Sequence, residues 1–311
     1  MSPSLAKSGE RLKNEIEDYH KGVKYLHESG IQRVPKKYIF PISERPNYAT
    51  NGKQQASKVH NLKLPIIDFA QLHGPNRAQV LDSLSYACEN FGFFQLVNHG
   101  IPEEVVRSMV DVGGREKTVA YSKETKFLFL KLVEAILESL GIATKNKTKI
   151  DDEEMLQEFE DGSQLMAVNF YPPCPDPDLT LGMPPHSDYG FLTLLLQDEV
   201  EGLQVKCNED WVTVQPIPGA FVVNVGDHLE IFSNGKYKSV LHRVLVNSLK
   251  SRISVASLHS LPFNSIVKPS PILISETNPK RYKDTNFAAF LEYIKSCDST
   301  NKSFLETRKL T

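Results

Sequence analysis

The sequence predicts a mainly β protein with helices, of the α+β class, and three observations point there. Beyond Gly162 short β-type runs follow one another, MAVNFY, FLTLLL, LQVK, WVTVQPI, FVVNVG, YKSVLHRVLV and RISVASL, separated by Pro, Gly, Asn and Asp. Close spacing of this kind marks a sandwich or barrel. Ahead of that region the pattern over 103–140 is helical, and behind it NFAAFLEYIKSC carries apolar residues at 287, 290, 291 and 294, one helical face. These changes of texture divide the chain into residues 1–150, helical with a βαβ-like start, residues 162–264, the β region, and residues 265–311, an extension containing a helix.

Taken in order, residues 9–29 read as a polar, weakly amphipathic helix closed by Gly30. Prolines 35, 41 and 46 then hold VPKKYIFPISERP extended. LPIIDF and FGFFQLVNHG are strand-like and enclose RAQVLDSLSYACEN, a helical segment, which gives the βαβ-like start. Gly113 and Gly114 interrupt the next helical pattern, each disfavoured there by about 1 kcal/mol relative to alanine, so a junction between two helices is expected.

A net charge of −2, with 40% hydrophobic and 24% charged residues, describes an ordinary globular chain and argues against a general nucleic-acid or anionic-membrane binder. The basic cluster Lys145, Lys147 and Lys149 runs straight into acids and reads as a solvated loop. Cys88, Cys174, Cys207 and Cys297 are far apart and form no C-x-x-C pair, which suggests free thiols in a reducing compartment. The amino terminus lacks the apolar core of a secretory signal and no stretch approaches the ~20 apolar residues of a membrane span, so a cytoplasmic location is expected.

Chemistry gathers at PPHSDYG, immediately before FLTLLL. Residues two apart in a strand share a face, so His186 and Asp188 would project together. They supply two legs of a 2-His-1-carboxylate metal site, provided another histidine arrives from elsewhere. The pair alone also arises by chance at the mouth of a turn. His242, in KYKSVLHRVLV, is the candidate third ligand; the rival is His228 with Glu230, which Gly226 and Asp227 place at a turn. After His242 a short polar turn, NSLK, leads into RISVASL, so the two strands are expected to be adjacent and antiparallel. Arg252 and Ser254 share a face there and suit the carboxylate end of a small acid, since arginine binds carboxylate bidentately. A structural salt bridge is the other reading of Arg252.

With LPIIDF, ACENFGFFQLVNHGI, NFYPPCP, PPHSDYGFLTLLLQD, GLQV, NVGDHLEIFSNGKYKSVLHRV and SRISVASL on the page, the chain resembles the plant Fe(II)- and 2-oxoglutarate-dependent dioxygenases, in particular the branch with flavonol synthase, anthocyanidin synthase and flavanone 3-hydroxylase-like enzymes. The resemblance covers nearly the whole chain. It implies a double-stranded β-helix, or jelly-roll, core with a helical N-terminal region and a C-terminal helix. It implies that His186, Asp188 and His242 bind iron and that Arg252 and Ser254 hold the distal carboxylate of 2-oxoglutarate. Tyr171 of NFYPPCP would add a phenolic hydrogen bond to that cosubstrate, with Asn169 near it. Ascorbate is implied as the reductant, and hydroxylation or desaturation of a small phenolic or flavonoid-like metabolite, with release of succinate and carbon dioxide, as the reaction. The expected partner is that small molecule, with no nucleic acid and no membrane, and a monomer is expected.

Period-2 alternation from Arg252 aims Ala256 and Leu258 inward, and from Tyr171 it aims Asn169 and Ala167, so Ala167 and Leu258 are candidate substrate-pocket residues or ordinary core. One departure from the family stands out. Relatives carry several dozen residues between the helix ending near VDVGGR and the helix resembling KTVAYSKETKFLFLKLVEAIL, whereas here Arg115 runs directly into Glu116 and Lys117. A segment is therefore expected to be missing near residues 114–117, and with it strands of the larger sheet and part of the substrate wall. Two other readings follow: a non-catalytic protein that keeps the iron and 2-oxoglutarate face, and an oxidase of the same fold that uses no 2-oxoglutarate.

Overall fold

The computed structural model describes residues 22–46, 63–110, 115–142, 149–296 and 304–310. In chain order the strands are β1 (Ile66–Asp68), β2 (Phe93–Val97), β3 (Ser163–Tyr171), β4 (Met183–His186), β5 (Leu192–Gln197), β6 (Leu203–Cys207), β7 (Asp210–Thr213), β8 (Phe221–Val225), β9 (His242–Val244) and β10 (Arg252–Ser260). The helices are α1 (Val23–Glu28), α2 (Arg77–Asn90), α3 (Glu103–Val110), α4 (Arg115–Ser139), α5 (Lys149–Glu160), α6 (Asp227–Phe232) and α7 (Phe287–Ser296). A six-stranded sheet, ordered β1-β2-β8-β5-β10-β3, faces a four-stranded sheet, ordered β4-β9-β6-β7. From β3 onward the chain passes back and forth between the two sheets, which is the jelly roll.

The βαβ start is present: β1 and β2 are parallel and α2 joins them. β2 then pairs with β8, so the N-terminal strands complete the larger sheet. Strands β5 and β8 read as continuous apolar runs because both their faces are buried. Leu192, Leu194, Leu196, Phe221, Val223 and Val225 share a core with Leu84 of α2 and Phe129, Leu132 and Ile136 of α4. Burying each such side chain contributes about 1.5–3 kcal/mol. The alternate positions, Thr193, Leu195, Val222 and Asn224, look the other way, toward the four-stranded sheet.

Several expectations need adjustment. Helix α1 spans only the end of the expected 9–29 helix, with Gly30 at φ 71° just beyond it, and residues before 22 lie outside the described ones. Gly113 and Gly114 also lie outside them, between the end of α3 at Val110 and the start of α4 at Arg115. Of the basic cluster, Lys145 and Lys147 lie outside and Lys149 opens α5. Cys88, Cys174 and Cys207 are free thiols, and Cys297 falls outside. No helix among the described residues is long and apolar enough to cross a membrane.

The expected pairing of the two strands around NSLK is incorrect. β9 pairs with β4 and β6, whereas β10 pairs with β3 and β5. Both hydrogen-bonding edges of β10 are thus already used, and the connection crosses from one sheet to the other. Arg252 reaches the neighbourhood of His242 across the interior of the sandwich.

Candidate active site

His186 closes β4 and His242 opens β9, and the register sets the two directly opposite each other. Their ring centroids are 4.2 Å apart. Asp188 comes two residues later, just past the end of β4, and its carboxylate lies on the same side as the His186 ring. Asp188 Oδ1 lies 3.8 Å from His186 Nε2 and 3.7 Å from His242 Nε2. One donor atom from each of the three residues falls within 4.8 Å of the others.

The donor chemistry fits a metal ion. His186 Nδ1 lies 2.8 Å from the Pro184 carbonyl oxygen and His242 Nδ1 3.3 Å from that of Val240. In the tautomer these contacts select, Nδ1–H donates outward and the Nε2 lone pair is left toward the centre. With metal–ligand bonds of about 2.1 Å, donors up to about 4.2 Å apart can share one ion, which accommodates the two separations from Asp188. Two imidazoles and a carboxylate on one side suit Fe(II) and leave the far side open. Burial pushes the Asp188 carboxyl up, but His242, His186 and the hydrogen bonds from Thr193 and Asn224 outweigh it and hold the group below the usual carboxylate range.

A cavity of about 190 Å³ between the sheets joins this trio to Arg252. Strand alternation operates here: Arg252, Ser254, Ala256 and Leu258 from β10 and Ala167, Asn169 and Tyr171 from β3 all line it. The register pairs Arg252 with Tyr171, Ser254 with Asn169 and Ala256 with Ala167. Arg252 is 2% exposed; it donates to Ser254 Oγ at 3.3 Å and Gln197 Oε1 at 2.8 Å and also interacts with the Tyr171 phenol, all neutral groups, while the Asp198 carboxylate acts on it through space. Its Nε is buried without a partner. A buried guanidinium with neutral partners favours an anionic ligand, because a desolvated charge is costly unless paired. Glycines make room for this end: a Cβ on Gly202 would sit 2.9 Å from Arg252 Cδ, and one on Gly182 2.6 Å from Tyr171 Cδ1. Burial raises the Tyr171 phenol above its ordinary value, with Arg252 pulling the other way, so it stays a hydrogen-bond donor at neutral pH.

On the other side of the trio a cavity of about 260 Å³ is walled by aromatic rings. Phe287, Phe290 and Tyr293 come from α7, Phe304 from the segment beyond it, and Tyr189 and Phe263 from the jelly roll. Tyr189 and Phe290 lie 4.2 Å apart by centroid, Phe263 and Phe287 4.4 Å. Among the described residues its lining holds no lysine or arginine; Leu258 lines both cavities, whereas Ala167 lines the smaller one.

His228 is elsewhere. It is a buried residue of α6 rather than a solvated turn histidine, bonded through Nδ1 to Ser260 Oγ at 2.7 Å and packed against Tyr189. Burial pushes its imidazole down to about 3. Its neighbour Glu230 accepts from Tyr282 Oη at 2.6 Å. Sequence reasoning missed Thr193, Asn224 and Gln197. The available signal was a lone polar residue in an apolar strand: Thr193 in FLTLLL and Asn224 in FVVNV.

Comparison with known proteins agrees with this geometry. The sequence profile of the 2OG-Fe(II) oxygenase superfamily matches residues 162–260, and that of the non-haem dioxygenase in morphine synthesis N-terminal region matches residues 64–127. Protein DMR6-LIKE OXYGENASE 2 of Arabidopsis thaliana is 32% identical in an alignment of 329 positions that covers 85% of this chain and 90% of the relative. Flavanone 3-dioxygenase 2 of Oryza sativa subsp. japonica is 33% identical, covering 86% of this chain and 91% of the relative. The crystal structure of JOX2 in complex with 2OG, Fe and JA superposes with a TM-score of 0.77 at 29% identity, over 94% of this chain and 98% of that one. The chain belongs to the 2OG-Fe(II) oxygenase superfamily, among the plant-type enzymes that are 2-oxoglutarate-dependent dioxygenases.

Proposed function

We propose that the chain hydroxylates or desaturates a small, uncharged, phenolic or flavonoid-like plant metabolite, with release of succinate and carbon dioxide. In this reading His186, Asp188 and His242 hold Fe(II), Arg252 and Ser254 take the distal carboxylate of 2-oxoglutarate, and Tyr171 and Asn169 flank it. The observation that carries it is one cavity with the His-Asp-His trio at one end and, at the other, a buried arginine whose hydrogen bonds among the described residues go to neutral groups. Bound Fe(II), with 2-oxoglutarate and dioxygen, supplies the oxidising chemistry, and ascorbate keeps the iron reduced. The protein's own residues fix the cosubstrate between Arg252 and the metal and keep water from the reacting atoms.

The substrate class rests on the aromatic cavity beside the trio. Stacked and edge-on rings favour a flat ring system, and among the described residues the lining carries no lysine or arginine to pair with a carboxylate substrate. The 33% identity to flavanone 3-dioxygenase 2 supports the same class. We place the protein in the cytoplasm, working as a monomer.

A second reading is a catalytically impaired form that binds iron and 2-oxoglutarate. The alignment with DMR6-LIKE OXYGENASE 2 runs over more positions than this 311-residue chain contains, so the relative holds residues with no counterpart here. A segment lost near residues 114–117 would account for them. An anaerobic titration with Fe(II) and then 2-oxoglutarate tests the shared part of both readings: the metal-to-ligand charge-transfer band is expected, and its absence would overturn the assignment of the cavity. Succinate release in air separates them, being coupled to product in the first and uncoupled or absent in the second.

A further inference from the structure

The two oxygens of Asp188 are treated unequally. Oδ2 accepts hydrogen bonds from Thr193 Oγ1 at 2.6 Å and from Asn224 Nδ2 at 2.9 Å, while Oδ1 is the oxygen near both histidine Nε2 atoms. Thr193 on β5 and Asn224 on β8 are register partners, so adjacent strands of the larger sheet aim a hydroxyl and an amide at one atom. Both residues are 3% exposed. Rotating the carboxylate so that both oxygens face the histidines would draw Oδ2 away from Thr193 and Asn224 and leave two buried donors without their acceptor.

We propose that Thr193 and Asn224 are positioning residues that hold Asp188 as a one-oxygen ligand and thereby keep a metal position open for dioxygen. The inference rests on the assignment of the trio to iron. With Fe(II) bound, three single-atom protein donors would leave positions open for the cosubstrate and for dioxygen. An aspartate free to chelate through both oxygens would take up one of those positions. The two strands therefore decide denticity, a property that the three ligands alone leave open.

Nitric oxide, a dioxygen surrogate that gives a distinctive electron paramagnetic resonance signal on Fe(II), reads the open position directly. Parent, Thr193→Val and Thr193→Ser proteins are loaded anaerobically with Fe(II) and saturating 2-oxoglutarate and titrated with nitric oxide. The parent and Thr193→Ser are expected to bind it alike. Thr193→Val is expected to bind Fe(II) within about 3-fold of the parent yet nitric oxide at least about 10-fold more weakly, the scale on which groups behind a metal ligand act. Equal nitric oxide binding in Thr193→Val overturns the proposal, as does loss of Fe(II) and nitric oxide together, which would make the hydroxyl a support for ligand placement alone. If Thr193→Val does not fold, Asn224→Ala carries the same test through the other donor. A parent protein that fails to bind Fe(II) at all would instead overturn the assignment of the trio.

Discussion

His186 and His242 stand directly opposite each other on β4 and β9, with ring centroids 4.2 Å apart and each Nδ1 against a backbone carbonyl oxygen. A cross-strand pair held this way presents two Nε2 lone pairs to one point before any ion arrives. His242→Ala is expected to weaken Fe(II) binding by at least about 10-fold, measured by anaerobic titration. Unchanged affinity would remove His242 from the ligand set.

Arg252 is gripped by Gln197 and Ser254, neither of which touches the trio's donor atoms. Lysine cannot reproduce the planar fork. Arg252→Lys is therefore expected to raise the 2-oxoglutarate concentration needed for half-saturation at least about 10-fold, the scale of one lost charge-assisted hydrogen bond, with Fe(II) affinity nearly intact. A parallel fall in both would make Arg252 structural.

Gly202 carries the same logic without touching the charge. A Cβ there would lie 2.9 Å from Arg252 Cδ and 3.2 Å from its Nε. Gly202→Ala should shift the guanidinium and weaken 2-oxoglutarate binding while the arginine is retained. Calorimetric titration of the Fe(II) protein checks it, and parental affinity would mean that Arg252 moves aside freely.

His259 gives a pH prediction. It is fully buried behind the larger sheet, stacked on Phe129 at 4.5 Å and bonded to Ser257, and burial, reinforced by Lys126, pushes its imidazole down to about 3. The unfolded chain takes up the proton near pH 6.5 while the folded one does not, so stability is lost as pH falls from there toward 3. His259→Gln should show a shallower fall in Tm between pH 7 and 5, in chelator-treated protein. An identical slope would place the acid sensitivity elsewhere, His228 being the other buried imidazole pushed down to about 3.

Adding a relative's segment between Gly114 and Lys117 should tighten the coupling of succinate to hydroxylated product and raise solubility. β3, at the rim of the larger sheet, pairs only with β10 among the described residues and exposes Leu165, Val168 and Phe170. An open apolar edge of this kind favours association. Tight coupling in the chain as it stands would show that the shortened connection already closes the pocket.

The sequence by itself determined much of the larger sheet, the helix over Arg77–Asn90, and the inward face of β10 and β3, because these depend on periods of two and 3.6 residues that neighbouring side chains impose locally. It also brought out His186, Asp188, His242, Arg252 and Ser254, since their types and spacing are unusual in combination. Which strands sit in which sheet was not local information. NSLK reads as a hairpin turn, yet β9 and β10 belong to opposite sheets, because both edges of β10 are taken by β3 and β5. His228 looked exposed beside Gly226, and only the packing of α6 against Tyr189 and Ser260 buries it. Tertiary structure alone decided that Thr193 and Asn224, distant in sequence and isolated in apolar strands, meet on one oxygen of Asp188, since hydrogen-bond partners across a sheet are set by register and register is fixed by the whole core.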